Sequence, residues 1–211
     1  MNRSKTEGEA ISGLHPVMEE WVNLLEEPLV SSKEKTPWRY NERAAVSSFA
    51  GAVWRRGGSA IEEFDYHKSD TSSGFGRCDL WCKIADDQYA IEFKYKRLYS
   101  RRENEFSSIV RNTLYDAKSD AKRMDAYNDN RDIIAGVFFI PVIETSRDES
   151  IGLVSSLDEV LNGVINVLEL PEVLRAWHFL SDDELRVFTD ARHSGLLHLG
   201  ASLVLKKVNS V

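Results

Sequence analysis

Only two cysteines, Cys78 and Cys82, occur among the 211 residues of the chain. As residues four apart on one strand they would stand roughly 13 Å from each other, beyond disulfide reach. No paired Cys or His motif accompanies them, so a zinc site lacks ligands. Long apolar runs are also missing. None approaches the roughly 20 residues that span a bilayer, and the polar N-terminus does not read as a signal peptide. The expectation from these absences is a cytoplasmic protein with no membrane partner. Glycine-rich phosphate loops, GxSxG elbows and internal repeats are lacking as well. Positive charge is in deficit: 27 Lys and Arg against 34 Asp and Glu give a net charge of −7. Any nucleic-acid contact therefore has to rest on a local basic patch.

What is present concentrates between Arg77 and Arg97, RCDLWCKIADDQYAIEFKYKR. The segment reads as two strands joined by a tight turn at Asp86-Asp87. A hairpin symmetric about that dipeptide sets Asp79 opposite Lys94 and Trp81 opposite Glu92. Alternation puts these four side chains on one face, and Cys78, Leu80, Cys82, Ile91 and Phe93 on the other. Two carboxylates and an amine thus converge between apolar residues that anchor the hairpin.

The flanking elements follow from pattern. Asn41 opens a helix that Gly57-Gly58 closes, with Ala45, Val46, Phe49, Ala52 and Val53 inward. Glu42 falls on that apolar face, where a carboxylate needs a partner or a cation. First-turn placement against the helix dipole is its structural account; pointing at the hairpin is its functional one. Ser59–Lys68 reads as a strand with Glu62, Glu63 and Asp65 exposed, and Ser69–Gly76 as a turn-rich connection. Phe106–Tyr127 reads as a long helix whose stripe is Phe106, Val110, Leu114, Ala117, Ala121 and Met124. Ile133–Ile143 is apolar on both faces, as in a covered central strand that returns in parallel.

The termini say less. Met1–Gly13 reads as frayed, and a helix from Pro16 carries Met18, Trp21, Val22, Leu25 and Leu29 on one face. Ser156 and Glu159 suggest a capping box for a helix that stops near Pro171. LRVFTD and LLHLGASLVLKKV read as strands that extend the sheet edge or form a small subdomain. His178, His193 and His198 are isolated, and are expected to be structural or exposed. The expected boundaries are a tail and helix over 1–36, a core over 37–145, and an extension packed on it over 146–211.

The hairpin resembles the PD-(D/E)XK nuclease superfamily. Asp79 matches the acidic residue of the first half-motif and Glu92-Phe93-Lys94 the E-X-K half, 13 positions later. Cys78, not proline, precedes the aspartate. The order helix, three strands, helix, strand matches that superfamily's core. The resemblance implies a restriction-endonuclease-like α/β fold: an αβββαβ core with a mixed central sheet flanked by helices, plus N- and C-terminal additions. It implies a metal-dependent nuclease, with DNA endonuclease activity favoured. Asp79, Glu92 and Lys94 would be catalytic, with Glu42 as a fourth member. Asp79, Glu92 and Glu42 would hold Mg²⁺, for which Mn²⁺ substitutes. Two neighbouring carboxylates raise the pKa of Lys94, which favours charge stabilisation over a base role. Lys96, Arg97, Arg101 and Arg102 are the expected nucleic-acid contacts. No separate reading module is recognisable, so a second copy of the chain or a specificity-conferring protein is the partner left open. The alternative is a noncatalytic nucleic-acid- or protein-binding module on the same fold.

Overall fold

Every residue from Ile133 to Ile143 is buried, which makes β5 (Arg131–Glu144) the centre of one sheet. The structure, a computed structural model, describes residues 3–8, 11–27, 36–67, 75–124, 131–144, 153–181 and 196–208. The other strands are β1 (Ser4–Glu7), β2 (Ser59–His67), β3 (Phe75–Ile84), β4 (Asp87–Tyr99), β6 (Leu174–Phe179), β7 (Leu196–His198) and β8 (Gly200–Lys207). The helices are α1 (His15–Glu26), α2 (Glu42–Arg55), α3 (Phe106–Lys122) and α4 (Leu153–Val167). Their order includes α2-β2-β3-β4-α3-β5. The strands lie side by side as β1-β6-β8-β5-β4-β3-β2, with β7 also on β5. β4 and β5 run parallel, and the remaining pairings are antiparallel, so the sheet is mixed and open.

α2 begins at Asn41, whose side chain accepts from the Ala44 amide, as the cap pattern predicts. It covers the face that carries Phe93: Phe49 and Phe93 meet edge-on with centroids 5.9 Å apart. Phe93 also stacks on Phe138 at 4.9 Å, and Trp21 of α1 reaches Phe138 from above. Gly136 makes this possible. It is the β5 partner of Phe93, and a Cβ there would stand 2.5 Å from the Phe93 ring. Each such buried ring stabilises the fold by about 1.5–3 kcal/mol. α3 lies over β4 and β5 on the opposite face, presenting its expected stripe from Phe106 to Met124, all of it buried. The two helical layers therefore clamp β4 from both sides.

Several expectations are corrected. The hairpin turn is Ala85-Asp86, not Asp86-Asp87, with Ala85 in the left-handed region at φ 52°. Trp81 thus pairs with Ala90 rather than Glu92, and the ladder ends at Leu80–Ile91, so Asp79 is not paired with Lys94. A slip of two preserves every face, so apolar alternation gives no signal against it. Phe75 and Gly76 belong to β3 rather than to a loop. The N-terminal Ser4–Glu7 is not frayed but pairs with β6, an unforeseen strand. α4 begins at Leu153, so Ser156 lies inside it instead of capping it. LLHLGASLVLKKV does form strands, broken where Gly200, at φ 134°, passes against the His178 carbonyl. The N- and C-terminal segments thus extend the sheet as β1, β6 and β8. Leu29, Lys68, Tyr127, His193 and the LRVFTD run lie outside the described residues.

Candidate functional site

β3 and β4 form a ladder from Leu80–Ile91 to Ile84–Asp87 and then separate. Asp79 is the position of β3 that lacks a ladder partner on either side: its β2 counterpart, Glu63, is turned out of register geometry at φ 54°. With no backbone carbonyl opposite, the Phe93 amide donates instead to Asp79 Oδ2 at 2.6 Å. Two residues on, the Tyr95 amide favours the charged form of Glu42, from the first turn of α2. Asp79 thus satisfies the amide that the opening hairpin exposes, and Glu42 stands near the next one.

Glu92 and Lys94 project from β4 on the α3 side. Lys94 Nζ lies 3.3 Å from Glu92 Oε1 and 2.8 Å from Asp120 Oδ2 of α3. Burial raises the pKa of Glu92 to about 7, and the Asp79 charge adds to this; Lys94 opposes it. Asp79 is raised by burial, against the Phe93 amide and Lys94. Glu42 is raised by burial and by Asp79. Burial works against the Lys94 ammonium, but Asp120 and Glu92 together carry its pKa well above the ordinary lysine value. The acids repel one another while the amine is held charged.

Among the described residues, no group of three or more His, Cys, Asp or Glu side chains is gathered tightly enough to hold a metal ion by itself. Magnesium commonly takes only one or two carboxylates, completing its shell with waters and phosphate. Asp79 and Glu92 fit that demand: both are hard oxygen donors whose mutual repulsion a cation relieves. Glu42 shares their field through Asp79.

A cleft of about 450 Å³ opens beside this cluster, lined by Glu42, Lys94, Tyr95, Lys96, Thr113, Tyr115, Asp116, Ser119 and Asp120. The four expected nucleic-acid contacts are not gathered there. Lys96 reaches the cleft, but Arg97 points to the other face of β4, donating to the Arg39 carbonyl at 3.3 Å. Arg101 pairs with Glu144 at 2.9 Å and Arg102 with Glu105. Two groups were not foreseen. Asp120 flanks the α3 stripe between buried Ala117 and Ala121, a position that composition does not distinguish from a solvated face. Tyr66 of β2 stands in the field of Glu92, which together with burial raises its hydroxyl pKa. Of the histidines, His178 is buried against Ser4 at 2.9 Å, and His198 is driven down to about 4 by burial and by Arg97 and Arg39. The cysteines are buried thiols pushed up to about 12, and inert in this state. Comparison with protein-family models, curated proteins and solved structures found no match to the chain.

Proposed function

We propose that the protein is a metal-dependent nuclease of restriction-endonuclease-like fold, hydrolysing phosphodiester bonds in DNA. The observation that carries this reading is the junction of Asp79, Glu92 and Lys94 where the hairpin opens, with Glu42 reaching the same strand. The α2-β2-β3-β4-α3-β5 order and the mixed sheet support it.

Asp79 and Glu92 would hold Mg²⁺, with Glu42 adding negative potential from the side. When bound, the ion offsets the charge of the scissile phosphate and lowers the pKa of a water. Lys94, charged and half-buried, stabilises the negative charge that builds on the phosphoryl oxygens. Its raised pKa disfavours proton abstraction, so a base role falls to another group or to bulk water. Lys96 supplies a second positive charge along the cleft for the adjoining backbone.

The test is cleavage of supercoiled, linear and single-stranded DNA with Mg²⁺ or Mn²⁺, beside EDTA and Lys94→Ala. Metal-dependent cutting should fall by about 10³-fold in the variant. Equal cutting by wild type and Lys94→Ala removes the site assignment. DNA binding without cutting points to the noncatalytic module instead.

A further inference from the structure

Asp120 has no part in that mechanism, yet it is the nearer partner of Lys94. Its Oδ2 stands 2.8 Å from Nζ, against 3.3 Å for Glu92 Oε1. The carboxylate is itself restrained. Its Oδ1 lies 3.3 Å from Arg123 Nη1, and its helix is seated on the sheet through Ala117 and Ala121. A lysine is a compact charge on a flexible four-carbon stem, so its position depends on its anchors. Glu92 is an unreliable anchor for a nuclease. Were its oxygens to hold a divalent ion, Glu92 would no longer be free to hold the Lys94 ammonium, which the added positive charge would repel. Asp120 reaches Nζ from another element, α3, with no such competing duty.

We propose that Asp120 is a positioning residue that anchors the Lys94 ammonium at the mouth of the cleft, freeing Glu92 for the divalent ion. This rests on the nuclease reading of the same site. The charged groups around Lys94 are Glu92 on its own strand, Glu42 of α2, Asp79 of β3 and Asp120 of α3, with Arg123 behind the last. Asp120 holds the nearest acidic oxygen. It aims Lys94 from a restrained position, so losing the Asp120 charge should do more than loosen a surface ion pair.

The experiment compares wild type with Asp120→Asn, using lysine labelled at Nζ and the Lys94 signal assigned by its loss in Lys94→Gln, with and without Mg²⁺. Asparagine keeps the size of the side chain and removes its charge. The Lys94 Nζ signal should shift and its order parameter fall in Asp120→Asn, as the ammonium loses its nearer anchor. In DNA cleavage, kcat should drop by about 100-fold, the cost of a misplaced catalytic group. The Mg²⁺ concentration for half-activity should not move, and Asp120→Glu should recover part of the rate. A Lys94 Nζ signal unchanged in position and order in Asp120→Asn overturns the proposal. So does a loss of activity that excess Mg²⁺ restores, because Asp120 would then be a metal ligand. Wild type that cuts no DNA, with the Lys94 Nζ signal still altered in Asp120→Asn, sinks the nuclease reading and leaves the anchoring role standing.

Discussion

The two halves of the β3–β4 hairpin solve the same backbone problem in different ways. In the closed half, Leu80–Ile84 and Asp87–Ile91 satisfy each other amide to carbonyl, over a face of buried Leu80, Cys82 and Ile91. In the open half, β4 continues from Phe93 to Tyr99 without β3; the Phe93 amide turns to the Asp79 carboxylate, and Glu42 feels the Tyr95 amide. The strand stays paired through the change because β5 runs beside it from Gln88–Arg131 to Tyr99–Val142. A sheet can thus afford one unzipped edge when the other edge is fully held. The unzipped edge is where side chains, rather than backbone, set the chemistry.

The strongest way to break this contrast is to remove what holds the open half in place. Phe93→Ala should cost about 3–5 kcal/mol, measured by denaturant unfolding, since its ring contacts Phe49 and Phe138 and fills the space over Gly136. A cost confined to about 1 kcal/mol, as at an ordinary surface site, would mean the two halves are not mechanically distinct. Next comes Asp79. Alanine there leaves the Phe93 amide without an acceptor and should cost about 1–3 kcal/mol, whereas Asp79→Asn keeps an acceptor and should unfold near wild type. Both should lose Mg²⁺ binding in calorimetry. If Asn destabilises as much as Ala, charge rather than hydrogen bonding holds the opening.

Glu92 tests the electrostatics of the open half. Its pKa, near 7 in the fold, lies above its unfolded value, so the native state takes up its proton first. That contribution to stability is full below the unfolded carboxylate range and is lost as pH rises through 7. Glu92→Gln should therefore gain on wild type by on the order of 1 kcal/mol between pH 5 and pH 8, without metal. Chemical unfolding at the two pH values decides it. An equal gap at both would place Glu92 outside the repulsive cluster. The smallest effect belongs to the closed half. A left-handed Ala85 costs about 1–2 kcal/mol, and glycine returns about 0.5–1 kcal/mol of that as backbone entropy. Ala85→Gly should raise stability by roughly half a kcal/mol, visible as a slightly higher Tm.

Sequence patterning reads the faces of these strands well and their offsets poorly. The shared face of Asp79, Trp81, Glu92 and Lys94 follows from period-two alternation, and the two-residue slip leaves it intact. The true register depends on Ala85 adopting a conformation usually given to glycine, which composition argues against. Glu42 is readable because a charge interrupts an apolar helix face. Asp120 is not, because it sits at the flank of such a face among other polar residues. The short β1, SKTE, carries no apolar alternation at all and is fixed by backbone pairing to β6. β8 is legible as an apolar run, whereas β6, held between β1 and β8, depends on contacts that no local pattern announces.

The left-handed Glu63 has a consequence at the far edge of the sheet. β2 is an outer strand, and outer strands invite other chains to add to them. Glu63, held by Arg43 and Arg77, interrupts the run of outward amides and carbonyls midway along it. Glu62 accepts from Ser47 of α2 at 2.8 Å, and Asp65 pairs with Arg77 at 3.6 Å. A neighbouring strand laid against β2 would meet two short, misaligned segments rather than one continuous template. The twist that leaves Asp79 unpaired on the inside thus also guards the molecule against fibril-like growth on the outside.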